Sequence, residues 1–255
     1  MDRTFDNELV SVIIPIYNSK TYLKQTIDSV LNQDYDKDFN IILVDDCSKD
    51  DPEEVIDLYK DEDRVIYIKL EENVGAGEAR NIGLKFSAAR FVAFLDSDDL
   101  WKKEKLKKQM LLMKEKNALL SYTAIDMIDS TGSLIKSKRK VPKKASYKTI
   151  LKNTLIANSS VIVDRAVAGD FLISTRRMSQ DYSTWLRLLR GGSLAYGIDE
   201  ALVSYRVHNA SLSFDKRSSL KYIWDIQRED EKLPAPVVFF NLICWSFNSF
   251  IKHFL

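Results

Sequence analysis

The chain has 255 residues, 45% apolar and 29% charged, with a formal net charge of +1. That balance suits one globular domain, or two fused halves, with a substantial core; it excludes a disordered polyelectrolyte, and nucleic acid is not an expected partner. Cys47 and Cys244 lie far apart, so neither a disulfide framework nor a cysteine metal site is expected. The opening MDRTFDNELVSV lacks the apolar stretch of a secretory signal, and the expected compartment is a reducing cytoplasm.

Strand and helix signals alternate through the first hundred residues. The β-branched run Val10–Ile16 predicts a strand buried on both faces of a parallel sheet. Leu23, Ile27, Val30 and Leu31 repeat at helical spacing and predict a helix over 22–33. A second strand over 40–44 ends at Asp45 and Asp46, and Asp50 or Asp51 is expected to cap a helix with Pro52 in its first turn. A third strand over 64–69, a glycine-bearing loop, a helix over 78–89 and a fourth strand over 90–95 follow, stopping at Asp96-Ser-Asp98-Asp99. This alternation predicts an α/β fold with a doubly wound, mostly parallel sheet flanked by helices. After Trp101 the pattern loosens. A long exposed lysine-rich helix is expected over 102–116, short strands at 118–125, 158–163, 194–198 and 201–205, and a helix over 179–190.

Ligands of such sheets bind at the carboxyl ends of the strands. Those ends carry Pro15-Ile-Tyr17-Asn18, the Asp45–Asp46 pair and Asp96–Asp99. Gathered carboxylates repel unless a cation or donor offsets them. Asp96 and Asp98 are two apart in an extended segment, so they point to one side and can converge on a hard cation, Mg²⁺ or Mn²⁺, with Asp99 a second candidate ligand. The structural alternative is an aspartate-rich turn that caps the next helix. The loop from Asn73 to Gly83 lacks the GKS/T of a P-loop and follows the third strand, so it is a weak dinucleotide signal. Arg80, in the first turns of the following helix, can reach a base or a phosphate.

VSVIIPIYN, VDDCSKD, NVGAGEARNIG and FLDSDDLW, in this order and spacing over residues 10–101, resemble the nucleotide-binding half of family-2 inverting glycosyltransferases, which have the GT-A fold. Downstream, Gln180-Asp181-Tyr-Ser-Thr-Trp185 is similar to the family's catalytic-base segment, with Gln180 in place of the usual Glu. Tyr205-Arg206-Val-His208-Asn-Ala-Ser211 is similar to the Tyr-Arg-x-His-x-x-Ser segment of bacterial cell-surface polysaccharide and teichuronic-acid-type members. The resemblance implies that Pro15 and Tyr17 frame the base, that Asp46 and Asn73 hydrogen-bond it, and that Arg80 supports it. It further implies that Asp96 meets the ribose or the sugar, Asp98 the metal, and Arg206 and His208 the diphosphate or the metal. Asp181 would take the proton of the acceptor hydroxyl; its structural alternative is a helix cap. The implied donor is a nucleotide sugar, UDP or dTDP by the imide edge that Asp46 suits. The implied acceptor is a glycan or lipid-linked glycan. Residues 1–101 would form the nucleotide-sugar-binding half, 102–213 the acceptor-binding half of the same domain, and 214–255 a C-terminal helical extension.

Two rival readings are testable in the sequence. A nicotinamide oxidoreductase needs Gly-x-Gly-x-x-Gly after the first strand, where Pro15-Ile-Tyr-Asn18 stands. A non-catalytic nucleotide-sugar-binding module of an assembly complex would be marked by loss of Asp98, Asp181 or Arg206, and all three are present. Two stretches stand outside the motifs. Residues 136–148, KSKRKVPKKASYK, hold seven basic side chains, read as a solvated loop or as a patch that meets phosphate on an acceptor or a membrane. Residues 237–255 are mostly apolar, with Asn241, Asn248 and Lys252 in a narrow stripe. That suits a helix lying in the plane of a membrane, or packed on its own domain or on a second copy, better than a spanning segment. Peripheral contact with the inner face of the cell membrane and homo-oligomer formation are both left open.

Overall fold

The computed structural model describes residues 5–207 and 216–254. The apolar run 10–16 lies in β1 (Asp6–Ile16), and its alternate side chains feed two cores: Val10, Val12, Ile14 and Ile16 enter one cluster and Ile13 the other. A strand covered on both faces has no solvent side, so its sequence is continuously apolar rather than alternating. The helix α1 (Lys20–Leu31) covers the first face with Leu23, Ile27 and Val30, all fully buried. On the other face α3 (Ala76–Phe86) comes so close that a Cβ on Gly83 would stand 2.6 Å from Ile13 Cγ2.

Among the described residues one sheet of ten strands runs through the molecule. Its first part is parallel, in the order β3 (Val65–Lys69), β2 (Phe39–Asp45), β1, β4 (Ala89–Phe94). It continues through the antiparallel β9 (Ile162–Asp164), then β6 (Leu120–Ile128), β10 (Ala195–Arg206) and β5 (Leu100–Trp101). On the edges, β7 (Leu134–Arg139) pairs with β6 and β8 (Lys144–Ala145) with β10. The mixed α/β architecture, with a mostly parallel sheet between helices, is the one expected.

Several local expectations are corrected. Asp50 does not cap the short α2 (Glu53–Ile56); its carboxylate accepts the Lys20 N–H at 2.8 Å and so caps α1. Residues 158–160 are a 3₁₀ turn ahead of β9, not the start of a strand. The two strands expected over 194–205 are one, β10, whose register against β6 shifts between Ile198 and Val203. The lysine-rich helix α4 (Lys105–Lys116) is not exposed all round, for Leu106, Gln109, Met110 and Met113 are buried and so is Lys105. The basic segment is structured, through β7, β8 and the start of α5 (Tyr147–Leu151), whose Ser146 and Thr149 form a reciprocal cap. The second half adds α6 (Arg165–Ala168), α7 (Gln180–Leu189), α8 (Lys216–Asp225) and the C-terminal α9 (Ala235–Phe254).

Candidate active site

The carboxyl ends of β1 and β2 are laced together. Pro15 is buried and Tyr17 is 51% exposed. The Asn18 N–H donates to Ser48 Oγ (3.1 Å), and the Lys49 N–H donates to Asn18 Oδ1 (2.7 Å). Asp46 is buried, and its two carboxylate oxygens accept the N–H groups of Val74 (2.6 Å) and Gly75 (2.9 Å). The Asn73 side chain donates to the Asp46 carbonyl at 3.1 Å. The two residues expected to bind a base are therefore fastened to one another. They set the glycine loop, in which Gly75 holds φ +86° ahead of α3, a conformation glycine adopts at little cost. Burial raises the Asp46 pKa and Asp45 adds to the rise, while the two N–H donors oppose it.

Arg80 leaves the first turns of α3 and reaches across the crevice. Its Nη2 donates to Asp96 Oδ1 at 2.6 Å and its Nη1 to Gln180 Oε1 at 3.1 Å. Asp96 Oδ1 also accepts Asn158 Nδ2 at 3.0 Å. Arg80 thus joins the glycine-loop helix, the aspartate turn and the start of α7, rather than standing alone under a base. With Gln180 in this place, Asp96 is the one acid among the described residues bonded directly to that guanidinium; a Glu there would compete for it. Close packing allows the arrangement, since a Cβ on Gly77 would stand 2.6 Å from the Ser174 carbonyl.

The aspartate turn separates its two later acids. Asp98 is partly exposed. Asp99 is 1% exposed, and its carboxylate accepts the Arg206 N–H (2.8 Å) and the Ser159 hydroxyl (2.6 Å). Burial, followed by the charges of Asp98 and Asp96, raises the Asp99 pKa well above the usual carboxylate range. Asp99 is consequently a fastener inside the turn. Arg206 is also buried, at 1% exposure. Its guanidinium donates to the carbonyls of Asp98 (2.7 Å), Asp129 (3.2 Å) and Ser130 (3.3 Å) and to Gln25 Oε1 (2.9 Å), and it lies 4.5 Å over the Tyr22 ring. It sits beneath the turn. His208 lies outside the described residues.

Asp181 stands in the first turn of α7, a helix anchored by the buried Trp185 against Phe94 of β4 at a centroid distance of 5.9 Å. Its Oδ1 accepts the Tyr182 N–H at 2.8 Å. Burial raises its pKa and Asp96 pushes the same way, against Arg80. Burial lowers the pKa of Arg139, at the end of β7, with Asp181 opposing it, and its Nη2 donates to the Thr154 carbonyl at 2.6 Å. Sequence reasoning missed Gln25, Arg139, Asn158 and Ser159. The signal available for the last two was the polar Asn158-Ser-Ser160 between apolar segments.

Among the described residues no three acidic, histidine or cysteine side chains converge as a metal cage. Asp96 and Asp98, two apart on this turn, offer only carboxylate oxygens, with Asp96 Oδ1 held by Arg80 and Asn158. Mg²⁺ is commonly held by one or two carboxylates together with substrate phosphates, so these residues fit such a cation.

The family profile "Glycosyl transferase family 2" matches residues 11–175. The Bacillus subtilis (strain 168) protein TuaG, a glycosyltransferase named for teichuronic acid biosynthesis, is 39% identical over 246 residues, covering 96% of this chain and 95% of that one. The Escherichia coli UDP-Glc:alpha-D-GlcNAc-diphosphoundecaprenol beta-1,3-glucosyltransferase WfgD is 32% identical, covering 93% and 92%. Among solved structures, residues 1–349 of S. aureus TarS in complex with UDP superpose with a TM-score of 0.67 at 22% identity, over 92% of this chain and 70% of that one. The mannosyltransferase PcManGT from Pyrobaculum calidifontis, in complex with GDP-Man and Mn²⁺, gives a TM-score of 0.70 at 16% identity over 93% and 69%. The fold is GT-A.

Proposed function

This chain belongs to glycosyl transferase family 2, and from that premise we propose that it moves a sugar from a nucleoside diphosphate, UDP first, to a hydroxyl of a lipid-linked or polymeric cell-surface glycan, inverting the anomeric carbon. One observation carries the reading: Asp96, Arg80 and the Gln180–Asp181 start of α7 are joined by hydrogen bonds and charge at one mouth of the sheet, with Asp98 on the same turn. Residues 1–101 serve as the donor half, 102–213 as the acceptor half and 214–255 as an extension.

Tyr17, Pro15, Asp46 and Asn73 line the place for the base, the last two by holding the glycine loop in shape. Asp96 and Arg80 take the ribose or the sugar. Asp98 beside Asp96 would hold Mg²⁺ or Mn²⁺ together with diphosphate oxygens, where the ion would offset charge growing on the leaving group. Asp181 removes the acceptor proton, since a hydroxyl is a poor nucleophile at neutral pH. One base with no second nucleophilic carboxylate gives a single displacement, and hence inversion. The names of the relatives support the acceptor class, since one acts on a diphosphoundecaprenol-linked sugar.

The test is transfer from a panel of labelled nucleotide sugars to a polyprenyl-diphosphate-linked sugar with Mn²⁺, with the product anomer read by NMR. A β product from an α-linked UDP donor is expected. If no nucleotide sugar is turned over or raises the melting temperature, the reading falls.

A further inference from the structure

The basic segment 136–148 and the apolar stretch 237–255, remote in sequence, are both tied to the short stretch 152–154. The inward edge of α9 combines a polar stripe with Leu242 and Trp245, which pack on the core. Asn241 is buried and donates to Gln227 Oε1 (2.8 Å), Trp245 Nε1 donates to Thr154 Oγ1 (3.1 Å), and Asn248 donates to the Lys152 carbonyl (3.0 Å). Val238 completes this edge, fully buried. The outward edge is then left to large apolar side chains: Phe239 is 62% exposed, Phe240 55%, Ile243 53% and Phe247 65%. An ordinary surface helix keeps its outward face polar. A contiguous apolar face of this kind on a surface marks an interaction site.

A positive charge borders that face. Lys152 Nζ lies 5.1 Å over the Phe240 ring. Arg139, from the basic segment, donates to the carbonyl of Thr154, the same residue that holds Trp245, and Lys148 on α5 is exposed. Residues 235–255 contain neither Asp nor Glu. The acids that precede the helix are already matched, Asp230 with Arg176 and Glu231 with Arg190. Among the described residues no helix is long and apolar enough to cross a membrane.

We propose that the outward face of α9 docks in the plane of an anionic lipid bilayer. Phe239, Phe240, Ile243 and Phe247 enter the boundary between headgroups and acyl chains, while Lys152 meets lipid phosphate. A two-fold dimer through this face would instead set the cationic rim against its own copy, with no carboxylate on the helix to offset it. The biological sense of the docking rests on the lipid-linked acceptor proposed above.

The test is co-sedimentation of the full chain with phosphatidylcholine vesicles, with and without phosphatidylglycerol and free of any glycan acceptor. Wild type is expected to sediment with the anionic vesicles. Phe239→Ser combined with Phe247→Ser should weaken that binding at least about tenfold, at an unchanged melting temperature because both rings are exposed. Lys152→Ala should weaken binding about fivefold, and only to anionic vesicles. Wild type remaining in the supernatant with both vesicle types overturns the proposal, as does equal binding by the double variant. A wild-type dimer that the double variant converts to monomer, by light scattering, also overturns it and assigns the face to a second copy. Nucleotide-sugar binding, followed separately by thermal shift, reports on the transferase reading, since vesicle binding needs neither donor nor turnover.

Discussion

The Nε–H of Arg206 donates to the backbone carbonyl of Asp98 at 2.7 Å, across 108 residues of sequence. The same guanidinium grips Gln25 and the carbonyls of Asp129 and Ser130. Arg206 therefore acts on the site by holding Asp98 in place. A lysine offers no planar fork to satisfy these acceptors. Arg206→Lys should cost about 2–4 kcal/mol of stability, as expected when buried, charge-assisted hydrogen bonds are lost. It should also weaken metal-dependent binding of UDP. A melting temperature indistinguishable from wild type would refute this role.

Lys105 carries a different kind of cost. It is fully buried, its side-chain nitrogen has no hydrogen-bond partner among the described residues, and it lies 3.8 Å over the Trp101 ring. Burial alone drives its pKa well below the usual lysine value. A lysine whose folded pKa is depressed binds more protons when unfolded, so stability falls as pH drops below the unfolded value. Lys105→Met keeps the length and removes the penalty. It should raise stability at neutral pH by at least about 1 kcal/mol and flatten the rise in stability between neutral and alkaline pH. Urea melts at several pH values check this, and an unchanged pH slope counts against it.

The Asp98 side chain can be separated from its backbone task. Asp98→Asn keeps the carbonyl that Arg206 holds but weakens the carboxylate as a ligand for a hard cation. Tightening of UDP by Mn²⁺ should fall by about tenfold or more, with affinity in the absence of metal unchanged. Calorimetry showing the same gain from Mn²⁺ in both proteins would remove Asp98 as the ligand.

The parallel half of the sheet was legible because its information is local. Val10–Ile16 is apolar without alternation where both faces are covered, and the acids that follow each strand mark one edge. What sequence could not report is which polar side chain meets which. Asp50 lies next to a helix yet caps a different one through Lys20, 30 residues away. Asp99 and Arg206 have the residue types of a metal ligand and a diphosphate binder, and burial turns both inward. In α9 the asparagine stripe reads as the solvent face until Gln227 and the Lys152 carbonyl supply its partners. The single strand β10 was split because Asp199 and Glu200 interrupt its apolar pattern at the register shift.

Asp181 gives the sharpest prediction, because two measurements must move in opposite senses. Burial, with Asp96 acting the same way, holds its pKa above the ordinary aspartate value. As the base it must be ionised, so turnover should rise with pH through that raised pKa and then level. Asp181→Asn is nearly isosteric, and its amide oxygen can still accept the Tyr182 N–H, but it cannot take a proton. Turnover should fall by about 10²–10⁴, or roughly 3–5 kcal/mol of barrier, with the acidic limb of the profile gone. UDP affinity should stay within a few-fold, because Asp46, Asp96 and Asp98 are untouched, and that split separates chemistry from binding. Stability runs the other way. A carboxyl whose folded pKa is raised destabilises the fold once ionised, and the penalty fades as pH falls through the folded pKa. At neutral pH the Asn variant should therefore melt at the wild-type temperature or above it, whereas an acid that merely served the start of α7 would leave it less stable by about 0.3–1 kcal/mol with normal turnover. Sugar transfer by the purified variant at more than about a tenth of the wild-type rate, against the loss expected of a missing base, would assign the proton to another group.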